Sequence, residues 1–341
     1  MNLKEEIIKL KEELDVTLVA HFYQRDEVFD LADITGDSLE LAKKAIATPS
    51  KFIVFCGVGF MGESVKVMDT SKRVLMPKIA CCAMARMIDE GYYEQNLEQM
   101  NKAGISNDDI LPITYINSSA AVKARVGEMG GLVCTSSNAY KIIEKGLESG
   151  KKIFFVPDRC LGQNFAKQMN LKSAVVGIDK DLSDADIICY NGFCSVHQQF
   201  TVDDVEFYRE KYPDILVAVH PECDPSVCDA ADFVGSTSQL ITYIKELPVE
   251  QKVVVGTEFN MVNRLREKNT YILSSTKPEC PTMNETTLED VYKTLKSIKD
   301  DNISKENEIF VSEDTAKWAK IALQRMFEVW LILRSLLKML L

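Results

Sequence analysis

Three tripeptides carry side chains suited to acid–base and polar-binding chemistry: His21-Phe22-Tyr23, Tyr115-Ile116-Asn117 and His220-Pro221-Glu222. Each sets two polar residues two positions apart, and in an extended segment that spacing points both side chains the same way. Imidazole, carboxylate and phenol groups can exchange protons with a substrate, and a carboxamide can orient one. The chain has three histidines; the third, His197, closes Gly192-Phe193-Cys194-Ser195-Val196-His197. A lone histidine is ordinarily a satisfied polar residue near the surface, but all three in such positions argue for a shared site. The pairs Asp37-Ser38, Thr135-Ser136 and Ser236-Thr237 precede helical patterns. They are expected to cap helices, and a helix N-terminus with free amides is also an anion site. Cys82, Cys194 and Cys280 recur near the ends of three similar stretches. Three thiolates can hold a 4Fe-4S cluster whose fourth iron lacks a protein ligand and acts as a Lewis acid. They can equally bind zinc or serve as small buried hydrophobes.

These groups need elements to hold them, and the elements repeat. Leu18-Val19-Ala20, Ile113-Thr114 and Val217-Ala218-Val219 are apolar runs that stop at the three tripeptides. Each is followed by a hydroxyl-rich helix start, a second apolar run (52–55, 153–156, 253–255) and a turn near a cysteine. The repeat is roughly 100 residues, the size of a small domain and too long for a solenoid. Short apolar runs alternating with helical patterns imply an α/β fold. The expected fold is three repeated three-layer αβα units with parallel sheets, arranged pseudo-threefold around one central site. The units are expected at 1–82, 83–194 and 195–283, with a helical segment 284–341 packing back on the body. Helices are predicted at 39–47, 140–147 and 205–212. Residues 91–107 read as a polar link between helices, 125–131 as an inserted surface loop with three glycines, and 298–310 as a charged, flexible approach to the last helix.

Composition sets limits. A chain of 341 residues with 46% apolar content can bury a large core. A net charge of −11 argues against a nucleic-acid surface, which needs clustered Lys and Arg, yet leaves room for a locally positive pocket. Among the ten cysteines no C-x-x-C pair occurs, which weakens zinc-ribbon and thioredoxin-like readings. The charged amphipathic stretch 1–14 does not read as a signal peptide. The apolar stretch 326–341 is interrupted by Arg334 and Lys338 and is shorter than the ~20 residues of a membrane span. It is expected to dock on the body or at a subunit contact. A soluble, cytoplasmic protein is expected.

The motifs, in order, are Ala20-His21-Phe22-Tyr23-Gln24, Gly36-Asp37-Ser38-Leu39-Glu40, Val54-Phe55-Cys56-Gly57-Val58, Cys134-Thr135-Ser136-Ser137-Asn138-Ala139, the Gly192–His197 hexapeptide, His220-Pro221-Glu222-Cys223, Gly235-Ser236-Thr237-Ser238 and Cys280-Pro281. With these the chain resembles the quinolinate synthase family, which makes the pyridine ring of NAD, from about Thr17 to Met283. Departures are small. Cys81-Cys82 stands where the family usually has Gly-Cys, with Cys82 matching the ligand; Gly59 and Thr282 replace commoner residues; and 125–131 looks longer.

The resemblance implies a triplicated α/β fold around a 4Fe-4S cluster held by Cys82, Cys194 and Cys280. It implies a transferase that condenses iminoaspartate with dihydroxyacetone phosphate to quinolinate, releasing phosphate and two waters. Glu222 and Tyr23 are then the candidates for acid–base work. His21, His197 and His220 would hold or polarise carboxylates and carbonyls, Tyr115 and Asn117 would orient substrate, and Ser38, Ser136, Ser236 and Thr237 would bind anionic oxygens. The unstable imine suggests a link with an aspartate-oxidising enzyme. Two other readings compete: another 4Fe-4S hydro-lyase acting on a small hydroxy acid, and an iron–sulfur sensor that binds an anion. No membrane or nucleic-acid partner is expected.

Overall fold

The computed structural model describes the backbone of residues 2–340 and the side chains of residues 2–329. Its strands form three parallel sheets. The first contains β1 (Val16–His21), β2 (Ile34–Gly36), β3 (Phe52–Cys56) and β4 (Arg73–Leu75) in the order β2-β1-β3-β4. The second contains β5 (Ile110–Tyr115), β6 (Leu132–Cys134), β7 (Lys152–Val156), β8 (Ser173–Val175) and β9 (Ile187–Cys189) in the order β6-β5-β7-β9-β8. The third contains β10 (Leu216–Val219), β11 (Phe233–Val234), β12 (Val253–Gly256) and β13 (Thr270–Ile272) in the order β11-β10-β12-β13. One connectivity thus occurs three times, with β8 added at the edge of the second sheet. Every strand pair within the sheets is parallel.

This order explains where chemistry can occur. In each sheet the chain runs from the first strand to one side and then crosses to the other, so the connections diverge at the carboxyl end of that strand. β1 ends at His21 beside Gly36, β5 at Tyr115 beside Cys134, and β10 one residue before His220, whose N–H donates to the Gly256 carbonyl at 3.1 Å. The strands are apolar runs because helices cover both faces: β1 is buried along its whole length.

The terminal helix Glu313–Leu340 packs against the helix Ala120–Glu128 and against β6. Its residues Ala316, Ala319, Ala322, Leu323 and Met326 join a core shared by the first two units. Close approach depends on Gly127, where an added Cβ would collide with the Trp318 carbonyl oxygen. Arg325 then donates to the carbonyls of Gly127 at 3.2 Å and Gly131 at 2.9 Å. The glycine-containing stretch is therefore the end of a helix and its cap rather than an inserted loop. The expected polar link at 91–107 is mostly the helix Glu90–Lys102, which buries Tyr93, Leu97 and Met100. The charged approach 298–310 is likewise attached: the Met76 N–H donates to the Asn307 carbonyl, the Ile309 N–H donates to the Val74 carbonyl, and Arg73 pairs with Glu308 at 2.7 Å. Of the predicted helices, the first is observed at Ser38–Ala47, the second at Ala139–Leu147 and the third at Val202–Lys211. Among the described residues no helix is long and apolar enough to cross a membrane.

Candidate active site

The three strand ends meet in one cavity. It is lined by His21, Tyr23 and Ser38 from the first unit, Tyr115, Asn117 and Ser136 from the second, and His197, His220, Glu222 and Thr237 from the last stretch. Cys82, Cys194 and Cys280 line the same space. Of the sequence-predicted residues, only Ser236 lies elsewhere. Its hydroxyl accepts the Gln239 N–H as cap of the helix Thr237–Glu246, and it faces a neighbouring cleft with Ser137 and Asn164.

A hydrogen-bonded chain crosses the cavity. The Tyr115 hydroxyl donates to Glu222 Oε1 at 2.6 Å, and His197 Nδ1 lies 3.0 Å from Glu222 Oε2. His197 Nε2 is 3.0 Å from the Thr257 hydroxyl, which is 3.1 Å from the Tyr23 hydroxyl; Tyr23 in turn is 2.9 Å from the Thr237 hydroxyl. An ionised carboxylate only accepts, so His197 Nδ1–H donates to Glu222. In the neutral imidazole Nε2 then accepts from Thr257, leaving the Thr257 oxygen free to accept from Tyr23. The bonds share one direction, toward Glu222.

The other two histidines are set differently. Tyr23 N–H donates to His21 Nδ1 at 3.1 Å, and Glu222 N–H donates to His220 Nδ1 at 3.3 Å. The same backbone device in two units fixes the same tautomer, with Nε2 carrying the proton. Burial holds both rings neutral, outweighing the acids nearby: His21 falls to about 4 and His220 to about 3. The rings of His197 and His220 stack at 4.6 Å. Burial also raises Tyr23 and Tyr115, with the Glu222 charge adding to it. For Glu222, burial pushes the carboxyl up, but His197, His220 and the Tyr115 hydrogen bond together hold it below the ordinary range.

Backbone clamps place these groups. The buried Lys123 ammonium donates to the Ile116 carbonyl at 2.8 Å and to the Ser118 carbonyl, bracing the loop that carries Asn117. Asn164 donates to the Pro221 and Cys223 carbonyls at 2.8 and 2.9 Å, bracing the loop that carries Glu222. Asn117 Oδ1 is buried without a partner in the cavity wall, an acceptor facing ligand space. Ser136 does not cap a helix. The N-cap is Asn138, whose side chain turns back to the Thr135 N–H at 2.7 Å, and Ser136 instead lines the cavity beside Tyr115.

Sequence reasoning missed Thr257 and treated Asp37 only as a cap. Thr257 follows β12, so it too sits at a strand end beside the point where the connections diverge. Asp37 caps Ser38–Ala47 and also accepts from Ser238 and, at 3.4 Å, from Ser137, tying all three units together.

Cys82, Cys194 and Cys280 are half-buried and free, whereas Cys81 is exposed. Burial pushes Cys82 up to about 12 and raises Cys194 and Cys280 as well. A bound cation would reverse that and release the protons. Such a donor set suits a metal cofactor. Cys194, His197 and Glu222 also place one ligand atom each within 4.8 Å of one another. Both His197 nitrogens and both Glu222 oxygens, however, are already engaged in the chain above. A four-iron cluster takes each cysteine at a different iron, so its ligands need not converge as those of a single ion must.

Comparison with known proteins gives a consistent answer. The family model described as NadA: Quinolinate synthetase A protein matches residues 5–328. A protein of Helicobacter pylori (strain HPAG1) named quinolinate synthase is 54% identical over 334 residues, covering 96% of this chain and 98% of the relative. Proteins of the same name from Streptomyces coelicolor and Listeria monocytogenes are each 40% identical, covering 91% of this chain and 84% and 88% of their own lengths.

Proposed function

This chain belongs to the quinolinate synthetase A protein family, and from that premise we propose that it condenses iminoaspartate with dihydroxyacetone phosphate to quinolinate, phosphate and two waters. The observation that carries the reading is the 2.6 Å bond between Tyr115 and Glu222, 107 residues apart, in a cavity that three cysteines also line.

In this reading Cys82, Cys194 and Cys280 hold a 4Fe-4S cluster. When bound, it supplies an iron without a protein ligand, which acts as a Lewis acid toward substrate oxygen. The remaining work belongs to side chains. Glu222 takes the proton from the carbon next to the imine, making that carbon nucleophilic, and returns a proton to a hydroxyl that leaves as water. The chain through His197 and Thr257 to Tyr23 keeps a proton within reach of Glu222. His21 and His220, neutral and with Nε2–H fixed, donate to carboxylate or carbonyl oxygens without adding charge. Ser38 and Thr237, at helix N-termini, and Ser136 hold anionic oxygens, including the departing phosphate. Asn117 Oδ1 accepts from the substrate nitrogen. Ring closure between nitrogen and carbonyl releases the second water. The overall conversion has no net redox change.

An unstable imine must be supplied by a reaction that oxidises aspartate, and a cytoplasmic setting suits cysteines that are all free. The test is anaerobic incubation with both precursors, with quinolinate identified by mass. Product should require both precursors. Dehydration of a single hydroxy acid, with no carbon–carbon bond formed, would favour a hydro-lyase; anion binding without turnover would favour a sensor.

A further inference from the structure

Residues of the third unit hold three successive carbonyls of the first. Arg264 donates to the Gln24 carbonyl at 3.0 Å and to the Phe22 carbonyl, and the Asn260 amide donates to the Tyr23 carbonyl between them at 3.1 Å. The same Asn260 nitrogen lies 3.3 Å from Glu258 Oε1 and 3.0 Å from Asn284 Oδ1. Its two N–H bonds are therefore shared among three oxygens. Both other partners lead to one place: Glu258 Oε1 accepts the Cys280 N–H at 3.3 Å, and Asn284 Nδ2 donates to the Cys280 carbonyl at 2.9 Å. Asn260, Glu258 and Asn284 are buried, so water cannot replace a partner that moves away. A shift of the Cys280 peptide groups must either be passed to the Tyr23 carbonyl or leave a buried polar atom unpaired.

We propose that Asn260 is a positioning residue that makes the placement of Tyr23 depend on occupancy of the cofactor site at Cys280. The inference rests on the reading that Cys280 is a cofactor ligand. The Tyr23 hydroxyl already bonds Thr237 and Thr257 of the third unit, so its carbonyl contact with Asn260 is the second of two attachments to that unit. With the Cys280 loop held by its cofactor, Asn260 keeps its orientation and Tyr23 stays aligned with the Thr257–His197–Glu222 chain. With the loop released, Asn260 is free to favour one of its other acceptors and the alignment loosens.

The test compares amide hydrogen exchange, before and after removal of the metal by a chelator, in peptides covering 21–26 and 279–285. In the unmodified protein both segments should exchange faster once the metal is gone. In Asn260→Ala the response of 279–285 should persist, while 21–26 should exchange fast in both states. Turnover per bound iron should fall roughly 10- to 100-fold, as expected of a misplaced group. Asn284→Ala keeps the Asn260–Tyr23 bond but removes one of the two links from Asn260 to Cys280, so 21–26 should stay slow with the metal bound and respond less to its removal than in the unmodified protein, which keeps the test available if Asn260→Ala does not fold. An undiminished response of 21–26 in both variants would overturn the proposal. So would a response confined to 279–285 in the unmodified protein, which would leave the cofactor reading intact. Protein that binds no iron and responds in neither segment would instead overturn the cofactor reading beneath it, and the proposal with it.

Discussion

Replacing Glu222 by Gln separates chemistry from architecture more cleanly than any other single change. The side chain accepts from Tyr115 at 2.6 Å and from His197 at 3.0 Å, and is almost fully buried. Glutamine keeps the shape and one acceptor. If its NH2 faces His197, the imidazole can change tautomer, accept at Nδ1 and donate from Nε2 to Thr257. The chain then stays bonded but runs the opposite way. Charge-assisted bonds contribute ~1.5–3 kcal/mol and neutral ones ~0.5–1.5 kcal/mol, so each bond weakens by about 1 kcal/mol. Relief from burying a charge offsets only part of that. The fold holds the carboxyl below its ordinary range and so favours its charged form on balance, and stability near neutral pH should therefore fall modestly.

Turnover should fall by roughly 10²–10⁴, equivalent to a barrier increase of about 3–5 kcal/mol. The assay is anaerobic formation of quinolinate, with kcat and KM for each substrate, iron content and Tm measured on the same preparation. A pH series adds a second readout. The folded protein holds Glu222 below the ordinary value of 4.5, so its contribution to stability is present above that value and is lost as pH falls beneath it. The variant should lack that part of the acid destabilisation. Near-normal kcat with full iron content would refute the reasoning; Glu222 would then only position its neighbours, and Tyr23 would be the better proton carrier.

Three further outcomes are expected. Cys82→Ser, Cys194→Ser or Cys280→Ser should each sharply lower iron content and absorbance near ~400 nm, whereas Cys56→Ser and Cys81→Ser should leave both largely intact; loss in Cys81→Ser alone would reassign the doublet. Burial lowers Lys123 from 10.5 to about 7, against the opposing pull of Glu63. Between those values the unfolded chain binds a proton that the folded one has shed, so stability should rise with pH. From pH 7 to pH 9 the Lys123 contribution is about 2 kcal/mol, and urea unfolding of Lys123→Met should lack that part of the rise; equal slopes would count against it. Gly127→Val should destabilise by at least ~1–3 kcal/mol through overpacking against the terminal helix, measured as a lower urea midpoint, and an unchanged midpoint would mean that the helix docks elsewhere.

What could be read from sequence follows from how directly a residue's surroundings depend on its neighbours in the chain. Buried parallel strands are apolar over their whole length, so 18–20, 113–114 and 217–219 announced themselves, and the polar residues after them were placed by chain direction alone. The same logic reached Cys82, Cys194 and Cys280 through their recurrence in each unit. It failed where identity and role part. Lys123 is of a type common on solvent-facing helix positions, yet it is buried with its ammonium on two carbonyls of the loop beyond β5. Ser136 reads as a cap, but Asn138 turns back to Thr135 and releases it. Gly127 reads as a loop residue because a helix contact made possible by a missing Cβ leaves no periodic mark. Asn260 and Arg264 follow the same rule: each holds main-chain carbonyls of the first unit, and a carbonyl has no signature in the sequence. Motifs therefore mark the groups that line the cavity, while the groups that set the distances between motifs remain hidden until the three sheets are docked. The Tyr115–Glu222 contact depends on the second kind as much as the first. Tyr115 ends a strand of one sheet and Glu222 follows a strand of another, and the loop beyond each strand is braced by a side chain that no motif contains, Lys123 for one and Asn164 for the other.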